Sequence, residues 1–152
     1  MKQPANDIFS IDCYRASDEA DLLALWQACG LVVPWNNPYA DIARKLADSP
    51  ELFFAGRIDE RLVASCMAGY DGHRGWIYYL AVQPSAQRSG YAARLIAHCE
   101  DTLRELGCPK IDLMVRNSNQ AVIAFYQAIG YDLDPVVVLS KRLLVDEAHD
   151  LA

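Results

Sequence analysis

The sequence predicts one mixed α/β domain spanning residues 1–152, with the element order ααβββαβαβ. Three observations carry that reading. The strand-like runs Leu52 to Ile58, Leu62 to Tyr70 and Trp76 to Val82 follow one another across short turns, as in an antiparallel meander. From Gly90 the apolar spacing changes to the helical period and keeps it to Leu106. The chain has 152 residues, 53% of them apolar. That suffices for one core, is short for two ordinary domains and excludes global disorder.

Each element has a local cause. Ser17, followed by Asp18 and Glu19, is a helix N-cap with acids at the positive end of the dipole. Leu22, Leu25, Trp26 and Cys29 then recur at helical spacing, and Gly30 stops the helix. Asn37 caps a second helix with Pro38 at its first position, Tyr39, Ile42 and Leu46 on its buried face and Ser49-Pro50 at its end. Asp59-Glu60-Arg61 joins the first two strands, and Asp71 to Gly75 joins the second to the third. Ala92, Leu95, Ile96, Cys99, Leu103 and Leu106 form the stripe of a third helix that Gly107 closes. A strand is expected over Ile111 to Val115. Asn119 caps a fourth helix with Val122, Phe125, Tyr126 and Ile129 buried. Val136 to Leu139 reads as a last strand, an edge that can pair between subunits of a homodimer. Val145 to Ala152 reads as a frayed tail.

Composition narrows the function. The net charge of −6 disfavours a nucleic-acid partner and tolerates a cationic acceptor. No apolar run approaches the ~20 residues of a membrane helix, and Met1 to Ser10 lacks the apolar stretch of a signal peptide. The five cysteines form no C-x-x-C pair and are odd in number. A disulfide framework or a metal site is therefore not expected, and a reducing, cytoplasmic setting fits.

The chemistry concentrates in Leu80-Ala81-Val82-Gln83-Pro84-Ser85-Ala86-Gln87-Arg88-Ser89-Gly90-Tyr91-Ala92, where a strand runs through a loop into a long helix. The first N–H groups of a helix lack internal partners and sit at the positive end of its dipole. Gly90 and Ala92 keep side chains out of the way, so the loop is suited to a pyrophosphate. A plain strand–helix connection explains the same glycine equally well. The loop is neither a Walker loop nor a Rossmann fingerprint, because it lacks Gly-Lys-Ser/Thr and follows a meander.

Gln87-x-x-Gly90-x-Ala92 resembles the Gln/Arg-x-x-Gly-x-Gly/Ala motif of the GNAT superfamily of acyl-CoA-dependent N-acetyltransferases. Downstream, Asn119, then Ala124-Phe125-Tyr126 and Gly130-Tyr131, resembles the family's second cofactor segment, in the family's order and spacing. The resemblance covers about Asp12 to Leu143, and small bacterial members of the YpeA type are similar in further stretches. It implies a central, mixed and mostly antiparallel sheet flanked by helices. It also implies an acetyl-CoA co-substrate and a primary amine acceptor. By resemblance, the N–H groups of Arg88, Ser89, Gly90, Tyr91 and Ala92, with Gln87, hold the pyrophosphate. Leu80, Ala81 and Val82 offer backbone to the pantetheine arm, and Asn119 bonds to it. Tyr126 protonates the leaving thiolate. A backbone N–H near Val82 stabilises the oxyanion.

Read alone, Tyr126 is a core residue on an apolar stripe, and Asn119 is an N-cap. The general base stays open. Trp76 and Met114 occupy positions where relatives carry glutamate, and neither accepts a proton. The candidates are a water held by Tyr78 or Tyr79, or Asp71 or His73 on the preceding turn, with His73 the best single titratable group. His73 is otherwise an exposed turn residue. Tyr78 and Tyr79 are expected on opposite faces, with Tyr78 sharing the parity of Leu80 and Val82. Trp35 is either a lid over the acceptor or a packing residue. A CoA-binding sensor or regulatory module with little transfer is the alternative to an acetyltransferase.

Overall fold

A computed structural model describes residues 8–151. The segment read as lacking a signal peptide lies mostly outside them. The elements are β1 (Phe9–Cys13), α1 (Glu19–Ala28), α2 (Pro38–Asp48), β2 (Phe53–Ile58), β3 (Arg61–Tyr70), β4 (Gly75–Val82), α3 (Tyr91–Glu105), β5 (Ile111–Leu113) and α4 (Gln120–Ala128). The strands lie in the order β1-β2-β3-β4-β5. Neighbours are antiparallel from β1 to β4, and β5 runs parallel to β4. The mixed, mostly antiparallel sheet flanked by helices is as expected.

The order differs at both ends. β1 is an added edge strand, in register with β2 from Phe9↔Ile58 to Cys13↔Phe54. It has five residues, and only Phe9 is buried, so its sequence alternation is faint. The strand expected over Val136 to Leu139 does not form in the single chain, and its side chains stand in solvent. The expected frayed tail is instead docked. Asp146 accepts from the Asn37 N–H at 2.9 Å and from Arg44 at 2.6 Å, and Gln27 donates to the Leu151 carbonyl at 2.9 Å.

The start of α1 is also corrected. Ser17 does not cap it; residues Ala16–Asp18 form a tight 3₁₀ turn closed by the Arg15 N–H on Asp18 Oδ2 at 2.8 Å. The Asp18 carboxylate is drawn inward because buried Arg57 grips both of its oxygens at 2.7 Å. Arg57 also donates to Asp12 at 2.8 Å, stitching β1 and the turn to β2. A half-made pair of this kind costs several kcal/mol, so Arg57 holds the chain entry in place. At α2 the expected cap is present: Asn37 Oδ1 accepts from the Tyr39 and Ala40 N–H groups at 3.0 and 3.3 Å.

The sheet divides two cores, so the fold has three layers. Phe54, Cys66, Ile77, Leu95, Ile96, Cys99, Leu103 and Tyr126 fill the side under α3 and α4. Leu22, Leu25, Trp26, Phe53 and Met67 fill the side under α1 and α2. Successive residues Phe53 and Phe54 serve opposite cores, as strand alternation requires. Cys66 and Cys99 are fully buried, as expected, and all five cysteines are free thiols. Among the described residues, no helix is long and apolar enough to cross a membrane, and no group of three acidic, His or Cys residues could hold a metal.

Candidate active site

The site begins where β4 and β5 part. They pair only at Gly75↔Ile111, Trp76↔Asp112 and Ile77↔Leu113. β4 continues beside β3 to Val82↔Ala64. Tyr78 to Val82 therefore keep one neighbour strand and present an open edge on the other side.

A β-bulge sits on that edge. Met67 faces Tyr78 and Ser65 faces Ala81, so Cys66 alone opposes both Tyr79 and Leu80. Tyr79 takes up the extra residue at φ 53°, a left-handed conformation that costs about 1–2 kcal/mol for a residue with a Cβ. Four contacts hold it. Ser65 Oγ donates to the Tyr79 carbonyl at 3.0 Å, and Trp26 Nε1 donates to the same Ser65 Oγ at 3.0 Å. The Trp26 ring stacks on Tyr79 with centroids 3.9 Å apart, and the Tyr79 hydroxyl donates to Asp41 at 2.5 Å.

The bulge corrects the expected parity. Ile77, Leu80 and Val82 face α3, whereas Tyr79 and Ala81 face α1. Tyr78 lies opposite Ile77 on the Trp76 side, stacked on that ring at 6.5 Å. Tyr78 and Tyr79 thus share a face, and Tyr78 does not share the side of Leu80 and Val82. The peptide joining Tyr79 to Leu80 turns its carbonyl to Ser65, so its trans N–H points toward the open edge. One turn of alternation later, the Gln83 N–H goes to the Val63 carbonyl at 2.8 Å, which leaves Val82 facing outward. The Val82 carbonyl is taken by Gln87 Nε2 at 3.0 Å and Cys29 Sγ at 3.3 Å. Gln87 therefore braces the loop against the strand, and the Val82 N–H is the group left for a ligand.

The loop beyond the strand is built from backbone. Arg88 at φ 64° and Gly90 at φ 79° are both left-handed, which folds their N–H groups into a concave nest. Gly90 caps α3 with no side-chain hydrogen bond, so the first-turn amides keep their donors free. A Cβ on Gly90 would meet nothing within 4 Å; the backbone angle is what demands glycine, and open space stands before it. Tyr91 leaves the loop to stack on Phe9 at 4.2 Å, and Arg94 donates to the Phe9 carbonyl at 3.0 Å. Ser89 and Tyr91 also line a cavity of about 230 Å³ against the β2–β3 hairpin. A larger cavity, about 410 Å³, lies among Glu100, Lys110 and Asp132, away from the open edge of β4.

Asn119 caps α4, its Oδ1 accepting from the Val122 N–H at 3.3 Å. Tyr126 is 7% exposed, set edge-on between Phe125 and Tyr131 at 5.1 and 5.4 Å. Burial pushes its phenol pKa well up, and the neighbouring Cys66 and Cys99 thiols push in the same direction. The phenol therefore holds its proton at neutral pH. Cys66 and Cys99 meet at 3.5 Å between Sγ atoms.

The opposite face is of another kind. Extending the β4–β5 register by one residue sets Tyr78 beside Met114, 44% and 52% exposed. With Trp76 they make an apolar floor. The Arg116 guanidinium lies 5.8 Å from the ring centroid of Trp35, which is exposed at the lip rather than packed in the core. Asp71 is committed elsewhere: its Oδ1 accepts the His73 and Arg74 N–H groups at 2.8 Å each, and its Oδ2 accepts from Trp76 at 3.1 Å. These bonds hold its pKa down to about 2, so it is a poor base. His73 is exposed on the β3–β4 turn. From Gly75 to the bulge is about 15 Å of strand, so the fold does not bring His73 to Tyr126 or Leu80. The lock formed by Trp26, Ser65 and Asp41 escaped sequence reasoning, because no spacing in the chain marks a left-handed tyrosine.

Comparison with known proteins agrees with this geometry. The acetyltransferase (GNAT) family description matches residues 14–131. An acetyltransferase of Yersinia enterocolitica is 43% identical over 139 residues, 91% of this chain and 99% of that protein. The fold matches the crystal structure of Ard1 from Thermoplasma volcanium with a TM-score of 0.75 at 21% identity, over 83% of this chain and 84% of that one. It also matches an aminoglycoside N-acetyltransferase in complex with CoA, with a TM-score of 0.69 at 17% identity, over 94% and 100%. This chain belongs to the GNAT family of acetyltransferases.

Proposed function

We propose that the chain moves an acetyl group from acetyl-CoA directly to a primary amine. The observation that carries this is the open β4 edge ending in the amide nest of Arg88 to Ala92. An extended arm with an anionic end fits both parts: the edge N–H groups of Leu80 and Val82 take the pantetheine, and the nest, with Gln87 bracing it, takes the pyrophosphate. Asn119 bonds to the same arm. The amine lone pair attacks the thioester carbonyl, and a β4 N–H meets the developing oxyanion. The C–S bond then breaks. Tyr126 gives its proton to sulfur, whose own affinity for it rises in the same apolar surroundings. The ammonium proton leaves to water, with Tyr78 as the side chain that orients it and His73 too distant along β4 for direct contact.

The apolar floor sets the acceptor's character. With no carboxylate free to take a proton, the amine must arrive neutral. At pH 7 roughly a tenth of an α-amine is neutral, against about 1 in 2,500 for a lysine amine, a gap of about 200-fold. A low-pKa amine on an apolar body is the favoured substrate. Turnover of labelled acetyl-CoA with an amine series of graded pKa tests this. Rates that follow total rather than neutral amine would sink it. The floor of Trp76 and Met114 also motivates a second reading, a CoA-binding module with little transfer. CoA-dependent thermal stabilisation without turnover across the series would favour that module.

The same reading assigns a reducing, cytoplasmic setting, from five free thiols. It assigns no metal and no nucleic-acid or membrane partner, from the net charge of −6 and the donor set. The working unit is read as a homodimer, because Val136 to Leu139 stand exposed in the single chain.

A further inference from the structure

After α4 the chain presents an unusual surface. Val136, Val137, Val138 and Leu139 are 71%, 84%, 61% and 91% exposed, and Leu133 and Leu143 are 73% and 84% exposed. Four consecutive strand-forming residues, apolar on both faces, have the composition of a strand covered on both sides. Left bare, they form an aggregation-prone edge. The segment is tethered at each end. Lys110 Nζ holds Asp134 at 2.8 Å, and Arg142 donates to Asn36 Oδ1 at 3.1 Å.

We propose that two copies of this chain pair antiparallel through Val136 to Leu139, with Val138 facing its own copy on a two-fold axis. Charge decides the direction. Acidic Asp132 and Asp134 precede the apolar run, and basic Lys141 and Arg142 follow it. Parallel pairing would set like charges side by side; antiparallel pairing sets each acidic end against the other copy's basic end. Symmetry then limits the register. In an antiparallel pair, hydrogen-bonded and non-bonded positions alternate, so a two-fold axis must pass through a residue opposite itself. Centred on Val138, the register pairs Val137 with Leu139, Leu133 with Leu143, and Asp134 with Arg142. Pro135, which has no N–H to give, falls near the end of the ladder. The pairing is independent of acetyl transfer, so failure of either reading leaves the other standing. It does touch the site: Arg142 is tied to Asn36, beside Trp35, so the dimer braces the lip of the acceptor face.

The test is site-specific crosslinking in the full chain, with the unsubstituted protein as control. Val138→Cys should give a disulfide-linked dimer under mild oxidation, since facing Cα atoms lie about 4.5–5.5 Å apart. Val136→Cys should not, because its copy sits about four residues along the ladder, more than ~13 Å away. Sedimentation should show a dimer that Asp134→Arg and Arg142→Asp each weaken at least about tenfold, and that the double variant restores. A monomer at tens of micromolar, or equal crosslinking at 136 and 138, overturns the proposal, as does a double variant no better than the singles.

Discussion

The two halves of the candidate site are made of different material. The cofactor half, from Leu80 to Ala92, is backbone: an open strand edge, two left-handed residues and a helix start. The acceptor half is side chain: Trp35, Trp76, Tyr78 and Met114, with Arg116 at the lip. A ligand gripped by main chain demands glycine and small residues at fixed spacing, which a single sequence displays. A ligand gripped by side chains leaves no such spacing, so its identity has to come from the chemistry of a surface.

The sharpest break between the halves is expected at Tyr126. Tyr126→Phe should lower kcat by about 100-fold or more while CoA affinity stays within about twofold, read by stopped-time turnover and calorimetry. Equal losses in both would move Tyr126 from the chemistry to the packing. Gly90→Val places a β-branched residue at φ 79° and should weaken CoA binding on the order of 100-fold, measured by calorimetry. If binding survives, the nest is not the anion site. Met114→Glu converts part of the apolar floor into a base. It should raise turnover of high-pKa amines by about tenfold and leave low-pKa amines nearly unchanged. The smallest effect belongs to Asp71. Its folded pKa, about 2, lies below the ordinary 3.8, so its hold on the turn is complete above about pH 4 and is lost as pH falls toward 2. Carboxyl NMR should trace that titration, and a midpoint near 3.8 would show that the turn is not clamped.

The same contrast governs what could be read before the fold was known. The Asn37-Pro38 cap, the meander and the start of α3 were legible, because each depends on neighbours in the chain. β1 was not, because a short edge strand with one buried residue lacks a pattern. The bulge was not, because Tyr79 is held by Trp26, Ser65 and Asp41, which lie far away in sequence. Val136 to Leu139 carried a true strand signal, but local sequence reports propensity and not which edge the strand will meet. The tail ran the other way: its polar composition suggested fraying, and its contacts with Asn37 and Arg44 are long-range.

The bulge at Tyr79 also acts as a phase shift in the strand, much as an inserted base shifts a reading frame. Every residue after it in β4 has exchanged faces relative to a regular strand, so the thiol core receives Leu80 and Val82, and Ala81 goes to the α1 side. Deleting one residue there would not merely shorten β4. It would transpose the outer half of the strand, offering leucine and valine to the acceptor face and alanine to the core. The site accordingly tolerates exchange of side chains along β4 far better than any change in their count.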